Sequence, residues 1–418
     1  MITPFQLAHT LLVPAFLLVL ATWAGTGLYL LVTGIGSGRR ALALGRARRA
    51  LAAIDITDRN ETSLRSAMVS LVATLPEDVV LPLAGTSTSR PVLDRVLADA
   101  AIARCGRASL EAIIATPRAP KHNWRRVAAM RVLASASSPG TLVRLLRRAL
   151  DDPDQEIVGA SISVLGRIPE MTAAAALVDA LTQGKYAPSR IATYLDQFPL
   201  PIGDLLRPLL DHTDPNCRYW GATLLSRHES AGVQARLVEL TQDSSPLVRK
   251  AAVTSLSQID RTASSEVARA LLADQVWYVR AHAARALAAA AGPEAAEEIA
   301  PLLTDREWWV RLAARESLQQ MGEEIWSVLV PYLDHEDAFA RNGAAEVLQN
   351  IGVLDSLIVM EAATSRPSAS KVEMLRKIAS AGGTRMTEAL LERVDDQARP
   401  RIRNLLASLG LEPTGVRP

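Results

Sequence analysis

Three segments of the chain repeat one pattern at a fixed interval. PLVRKAAVTSL, WYVRAHAARAL and WWVRLAARESL place Arg249, Arg280 and Arg311 31 residues apart. Each Arg has an Asp six residues before it (Asp243, Asp274 and Asp305), a Val directly before it and a Leu seven after it. A unit of that length cannot bury its own apolar face, so it must stack on copies of itself. With the Arg position as origin, the frame extends in both directions. Its anchors are Arg65, Arg95, Arg126, Val158, Arg190, Arg218, Arg249, Arg280, Arg311, Arg341, Lys371 and Ile402. Twelve units follow, with the frames at Arg95, Arg190 and Ile402 the weakest.

Each unit reads as two helices. The first precedes the Asp: in PEAAEEIAPLLTD, Ala295, Ile299, Leu302 and Leu303 recur at helical spacing. The second starts at the Val before the Arg and runs past the Leu, often to a Gly such as Gly322 or Gly352. Pro153, Pro215 and Pro246 fall in the turns between helices, and no run alternates as a strand would.

The pattern D-x-x-x-x-V-R-x-x-A-A-x-x-L resembles HEAT repeats, of the short type also found in phycobilisome lyases. The resemblance covers roughly residues 51–410 and is strongest at Arg249, Arg280, Arg311 and Arg341. It implies that the Asp and Arg join neighbouring units through hydrogen bonds, a role that passes to Asp243 and Arg249, Asp274 and Arg280, and Asp305 and Arg311. Val158 departs from the pattern, which leaves Asp152 without the usual partner. The resemblance implies a fold and a habit of binding, not a reaction.

The membrane reading comes from the other end of the chain. Residues 1–38 contain no Asp, Glu, Lys or Arg, and Leu11–Ile35 is a 25-residue apolar run, long enough to span a hydrocarbon core. Arg39, Arg40, Arg46, Arg48 and Arg49 follow it, which by the positive-inside bias puts the rest of the chain in the cytoplasm and these arginines at the membrane surface. The expected fold class is all-α, a single N-terminal transmembrane helix followed by an α-solenoid of about twelve HEAT-like helix pairs. The expected domains are an anchor (1–38), a basic juxtamembrane segment (39–50), the solenoid (51–410) and a tail (411–418). The expected localisation is the cell inner (cytoplasmic) membrane, single-pass. The net charge of +2 conceals an asymmetry, with net +11 from Arg39 to Arg148 and net −9 beyond it.

The residues of ordinary active sites are not arranged for chemistry. None of the six His stands at metal-ligand spacing from another His, Cys or carboxylate, and Cys105 and Cys217 are far apart. No nucleophile motif is present, so the chain is expected not to be an enzyme, with no catalytic, metal or cofactor residues and no cofactor. Aromatic residues make up only 4% of the chain, yet five cluster just before the Arg position. Tyr278, Trp309 and Phe339 would form one row, with Trp277 and Trp308 beside it. These five are the candidate protein-binding residues, because rigid aromatics concentrate in binding hot spots. The functional expectation is a membrane-anchored cytoplasmic scaffold that binds a protein partner. It would be a non-catalytic subunit of a membrane enzyme or transport complex, with cell-envelope glycan synthesis one guess. Neither nucleic acid nor a small-molecule substrate is expected. The alternatives are a HEAT-like nucleic-acid-binding protein and a bilin-lyase-like enzyme.

Overall fold

A computed structural model describes residues 40–54, 61–86, 90–116, 123–136, 141–228, 230–363, 369–382, 391, 396–408 and 410. Every regular element among them is helical. The chain divides into two compact units, one ending at Leu200 and one beginning at Pro201. Each is a stack of helix pairs in sequence order. The second helices of the pairs carry the repeated Arg, or Val158 in its place, and those used most below are labelled here. In the first unit these are α1 (Asn123–Ser135) and α2 (Gln155–Leu165). In the second they are α3 (Pro215–Leu225), α4 (Pro246–Ile259), α5 (Trp277–Ala291), α6 (Trp308–Gln320) and α7 (Ala338–Asn350). Each of α3 to α7 packs against the next.

Burial explains the repeated letters. Before the Arg, Val248, Val279, Val310 and Ala340 are fully buried. So are Ala252, Ala283, Ala314 and Ala344 three residues after it, and Leu256, Leu287, Leu318 and Leu348 seven after it. Positions −1, +3 and +7 fall on one face of a helix with 3.6 residues per turn, and that face makes the core. The small residue at +3 lets the first helix of the pair approach. In α3 that residue is Gly221, where an added Cβ would lie 2.7 Å from the Leu209 Cβ and 3.2 Å from the Leu209 carbonyl carbon. Gly221→Ala is therefore expected to destabilise the fold by about 1–3 kcal/mol, the usual cost of overpacking, despite its better helix propensity. Chemical denaturation that shows equal or greater stability would refute this close approach.

Two local readings of the sequence need amendment. The second helices begin three residues before the Arg, at the residues that would have been turn, because Pro215 and Pro246 suit the first helical position, which needs no N–H partner. The first helices are less regular than their apolar spacing implies. Residues 292–304 form a 3-10 turn, one α-turn (Ala296–Ile299) and a second 3-10 turn, and residues 323–334 repeat this. Pro301 and Pro331 sit at the second break in each, where the missing N–H removes a helical bond. Gly292, Gly322 and Gly352, at φ of 61°, 78° and 87°, turn the chain from one pair into the next.

The membrane-anchored fold class and the single-pass inner-membrane localisation are corrected. No described helix is long and apolar enough to cross a membrane. The longest among the described residues, Pro91–Cys105 and Trp277–Ala291 at 15 residues, rise only about 22 Å at 1.5 Å per residue, against about 30 Å of hydrocarbon. Each also carries arginine. The expected span, Leu11–Ile35, lies outside the described residues, as does Arg39.

Candidate functional site: an exposed aromatic ridge beside an arginine–aspartate ladder

The ladder forms because each repeated Arg reaches two turns at once. Arg249 donates from Nε and Nη2 to both carboxylate oxygens of Asp274, at 2.8 and 2.9 Å. Its Nη1 donates to the Asp243 carbonyl of its own turn, at 2.9 Å. Arg218 pairs with Asp243 and Arg280 with Asp305 in the same way, each also bonding the backbone of its own turn. Each Asp also accepts a backbone N–H two residues on, from Ser245, Val276 or Glu307, which closes the turn before the next helix. The carboxylate bonds thus join an Arg to the Asp of the following unit, while within a unit the Arg meets only the backbone of its Asp. The same geometry answers the expectation about Asp152. It has its partner: Arg126 of the preceding unit donates to it at 2.7 Å, both side chains being buried, so Val158 was never the relevant residue.

The environment of these carboxylates sets their acidity. Burial alone raises the pKa of Asp243, Asp274 and Asp305. The Arg hydrogen bond, the backbone N–H and the attraction of nearby guanidinium charges together outweigh it, and all three lie below the usual value.

The ladder stops at α6. Where the next Asp would stand is His335, whose Nδ1 accepts the Asp337 N–H at 3.0 Å and so keeps the turn. A single imidazole nitrogen cannot take the guanidinium fork. Arg311 still donates to the Asp305 carbonyl at 2.7 Å, but its guanidinium carbon lies 4.3 Å from the centre of the Phe339 ring. A cation over an aromatic face replaces the carboxylate bond.

The aromatic residues lie beside this break. Trp277 and Trp308 open α5 and α6, and Trp309 and Phe339 occupy second helical positions. The third position of each helix, Val279, Val310 or Ala340, points into the core. At about 100° per residue the first position then faces away from it and the second lies to its side. Trp277, Trp308, Trp309 and Phe339 are 37%, 49%, 53% and 62% exposed. Tyr278 differs, being half-buried and packed on the core. The contacts run diagonally and not along the expected row. The Trp277 and Trp309 rings are nearly parallel, 23° apart with centres at 6.4 Å, while Trp308 meets Trp309 edge-on at 4.6 Å and Trp277 meets Tyr278 edge-on at 5.5 Å. The turns beneath hold Glu307, Glu336 and Asp337. Of the arginines expected at a membrane surface, Arg40, Arg46, Arg48 and Arg49 are exposed on a helical stretch, and Arg40 lies 3.3 Å from Asp78.

Among the described residues no group of three or more His, Cys, Asp or Glu could hold a metal ion. Burial, and then the charges of Lys250 and Arg285, push the His282 imidazole down to about 4. No feature of the sequence singled it out.

The profile of HEAT repeats matches residues 203–288 and 265–349. Residues 203–349 are thus similar to HEAT repeats. No curated protein matches the chain. Similar solved structures include an engineered protein, at 19% identity over 88% of this chain and 99% of that one, with a TM-score of 0.31. The karyopherin Kap121p bound to the extreme C-terminus of the protein phosphatase Cdc14p is 14% identical, covering 89% of this chain and 50% of that one, with a TM-score of 0.46. Importin beta is also similar, covering 82% of this chain and 55% of that one at 14% identity, with a TM-score of 0.46. This chain spans about half the length of the latter two. The ladder and the ridge both lie within the HEAT stretch.

Proposed function

We propose that the chain is a non-catalytic scaffold, and that a protein partner docks across the ridge formed by Trp277, Trp308, Trp309 and Phe339. One observation carries this reading: four large aromatic side chains, 37–62% exposed, sit at the starts of three successive helices in a chain that is only 4% aromatic. Contiguous exposed apolar surface of this kind marks interaction sites, and Trp is enriched among the residues that dominate them. Glu336 and Asp337, in the turn before Phe339, favour a partner segment that offers cationic as well as apolar side chains, since both carboxylates and indole faces attract cations, while Glu307 already faces Arg306. As a non-catalytic subunit, the chain would act by holding that partner in place.

The test separates binding from folding. Trp308→Ala and Trp309→Ala should each leave the melting temperature nearly unchanged, because exposed substitutions cost within about 0.5 kcal/mol. Each should weaken the partner complex by about 2 kcal/mol or more, roughly thirtyfold. Photo-crosslinkers at Gln275 and Ala338 would identify the bound segment in the wild-type complex. A large fall in melting temperature for both variants, or an undiminished complex, would overturn the reading.

A further inference from the structure

The unit ending at Leu200 holds a second candidate site, unrelated to the ridge. A cavity of about 740 Å³ is lined by Arg95, from the helix Pro91–Cys105, by Arg131, from α1, and by Arg167, just after α2. Ser135 and Ser163 also line it, as does Asp94. The three arginines come from three successive repeat units and meet at one opening.

Several exposed arginines elsewhere are held in ion pairs; what sets these three apart is that they are unpaired among the described residues and line one cavity. Arg147 pairs with Asp179, Arg269 with Glu298 and Arg285 with Glu316, each across neighbouring units. Among the described residues the guanidinium groups of Arg95, Arg131 and Arg167 make no ion pair and no hydrogen bond, and the half-buried Ser135 and Ser163 hydroxyls likewise have no partner. The cavity thus gathers three unneutralised positive charges and two unused hydroxyl donors, with one carboxylate, Asp94, in its wall. Like charges facing a common space repel, and a bound anion removes that cost. Each guanidinium is a planar fork for two oxygens, and three forks with two hydroxyls offer more donors than the two oxygens of a carboxylate can take, so the set suits the three or more oxygens of a phosphoryl group. No aromatic ring is among the lining residues, so nothing offers a face for a nucleobase.

We infer that this cavity binds a compact phosphate anion, a polyphosphate or the phosphomonoester of a small molecule. It departs from the sequence-based expectation of no small-molecule ligand. Nothing in the sequence signalled it, since Arg95, Arg131 and Arg167 stand at different positions of their repeats, and only the fold brings them to one opening.

Pyrophosphate, glycerol phosphate and citrate are titrated calorimetrically into the full chain at equal ionic strength. Pyrophosphate or glycerol phosphate is expected to bind at one site per chain, and whichever is tighter assigns the polyphosphate or the monoester. Citrate should bind at least about tenfold more weakly. Arg131→Gln should weaken the phosphate ligand roughly tenfold, as for loss of a charged hydrogen-bond partner, and Arg95→Gln with Arg131→Gln should abolish it. Because these side chains are exposed, far-UV circular dichroism should be unchanged. Arg207→Gln, in the other unit, should bind as the wild type does. Equal binding of citrate, equal loss in the Arg207 variant, no binding of either phosphate, or binding of duplex DNA in their place would each overturn the inference.

Discussion

Asp305→Ala is expected to lower the stability of the HEAT stretch by about 3–5 kcal/mol, the usual cost of stripping the partner from a buried charge. Arg280 is only 7% exposed and directs two donors at Asp305, both at 2.8 Å. Without the carboxylate, its charge stays in a site with little water. The Glu307 N–H, which bonds Asp305 at 2.9 Å, also loses its acceptor, so the start of α6 loosens as well. Asp305→Asn separates these effects, since the amide oxygen can still accept from Glu307 while the charge is gone. It should fall between the wild type and Asp305→Ala. Arg280→Met combined with Asp305→Ala should recover much of the loss, because removing both partners leaves no bare charge. Equilibrium urea denaturation of the four proteins measures this. A double variant no better than Asp305→Ala would mean that the turn, and not the buried charge, sets the cost.

Acidification is expected to unfold the same stretch in two stages. His282 titrates near 4 when folded against 6.5 ordinarily, so between these values the unfolded chain binds more protons. Stability must then fall as pH drops from about 6.5 towards 4. Asp243, Asp274 and Asp305 lie below their ordinary 3.8, so their contribution is present above that value and is lost as pH falls through their lowered folded values. Melting temperature followed from pH 7 to pH 2 should decline gently and then steeply. His282→Leu should flatten the first stage, and Asp274→Asn should soften the second. A melting temperature that is flat down to pH 4 in the wild type would count against the lowered titration of this half-buried imidazole.

The repeats were legible because their determinants are local. A buried residue at −1, a small one at +3 and a Leu at +7 write one helical face directly into the letters, and Gly322 and Gly352 mark where it ends. The ladder was half legible. Asp and Arg could be paired in principle, but which unit each reaches depends on how pairs stack, so Arg126 was not matched to Asp152. Periodicity gave the first helices but not their breaks at 292–304 and 323–334, where Pro301 and Pro331 override apolar spacing. The ridge residues could be named from their offset, yet their contacts could not. Tyr278 and Trp309 share an offset, and only packing turns one towards the core and the other towards Trp277. Leu11–Ile35 was read from hydropathy alone and lies outside the described residues, while the described helices are too short and too charged to span.

The absence of a carboxylate at His335 also bears on mechanics. Stiffness between successive repeats depends on how strongly their turns are tied, and bidentate rungs tie α3 to α4, α4 to α5 and α5 to α6. From α6 to α7 the Arg315–Glu346 ion pair remains, but at the turn the tie is a cation resting on a ring, a softer and less directional restraint. Under tension or bending, the stack from α3 to α6 should behave as one stiff rod and yield first at the joint beyond it. The exposed rings of Trp308, Trp309 and Phe339 straddle that joint, so a partner lying across them would act as a splint, gripping both sides of a joint whose turns are not tied by a carboxylate.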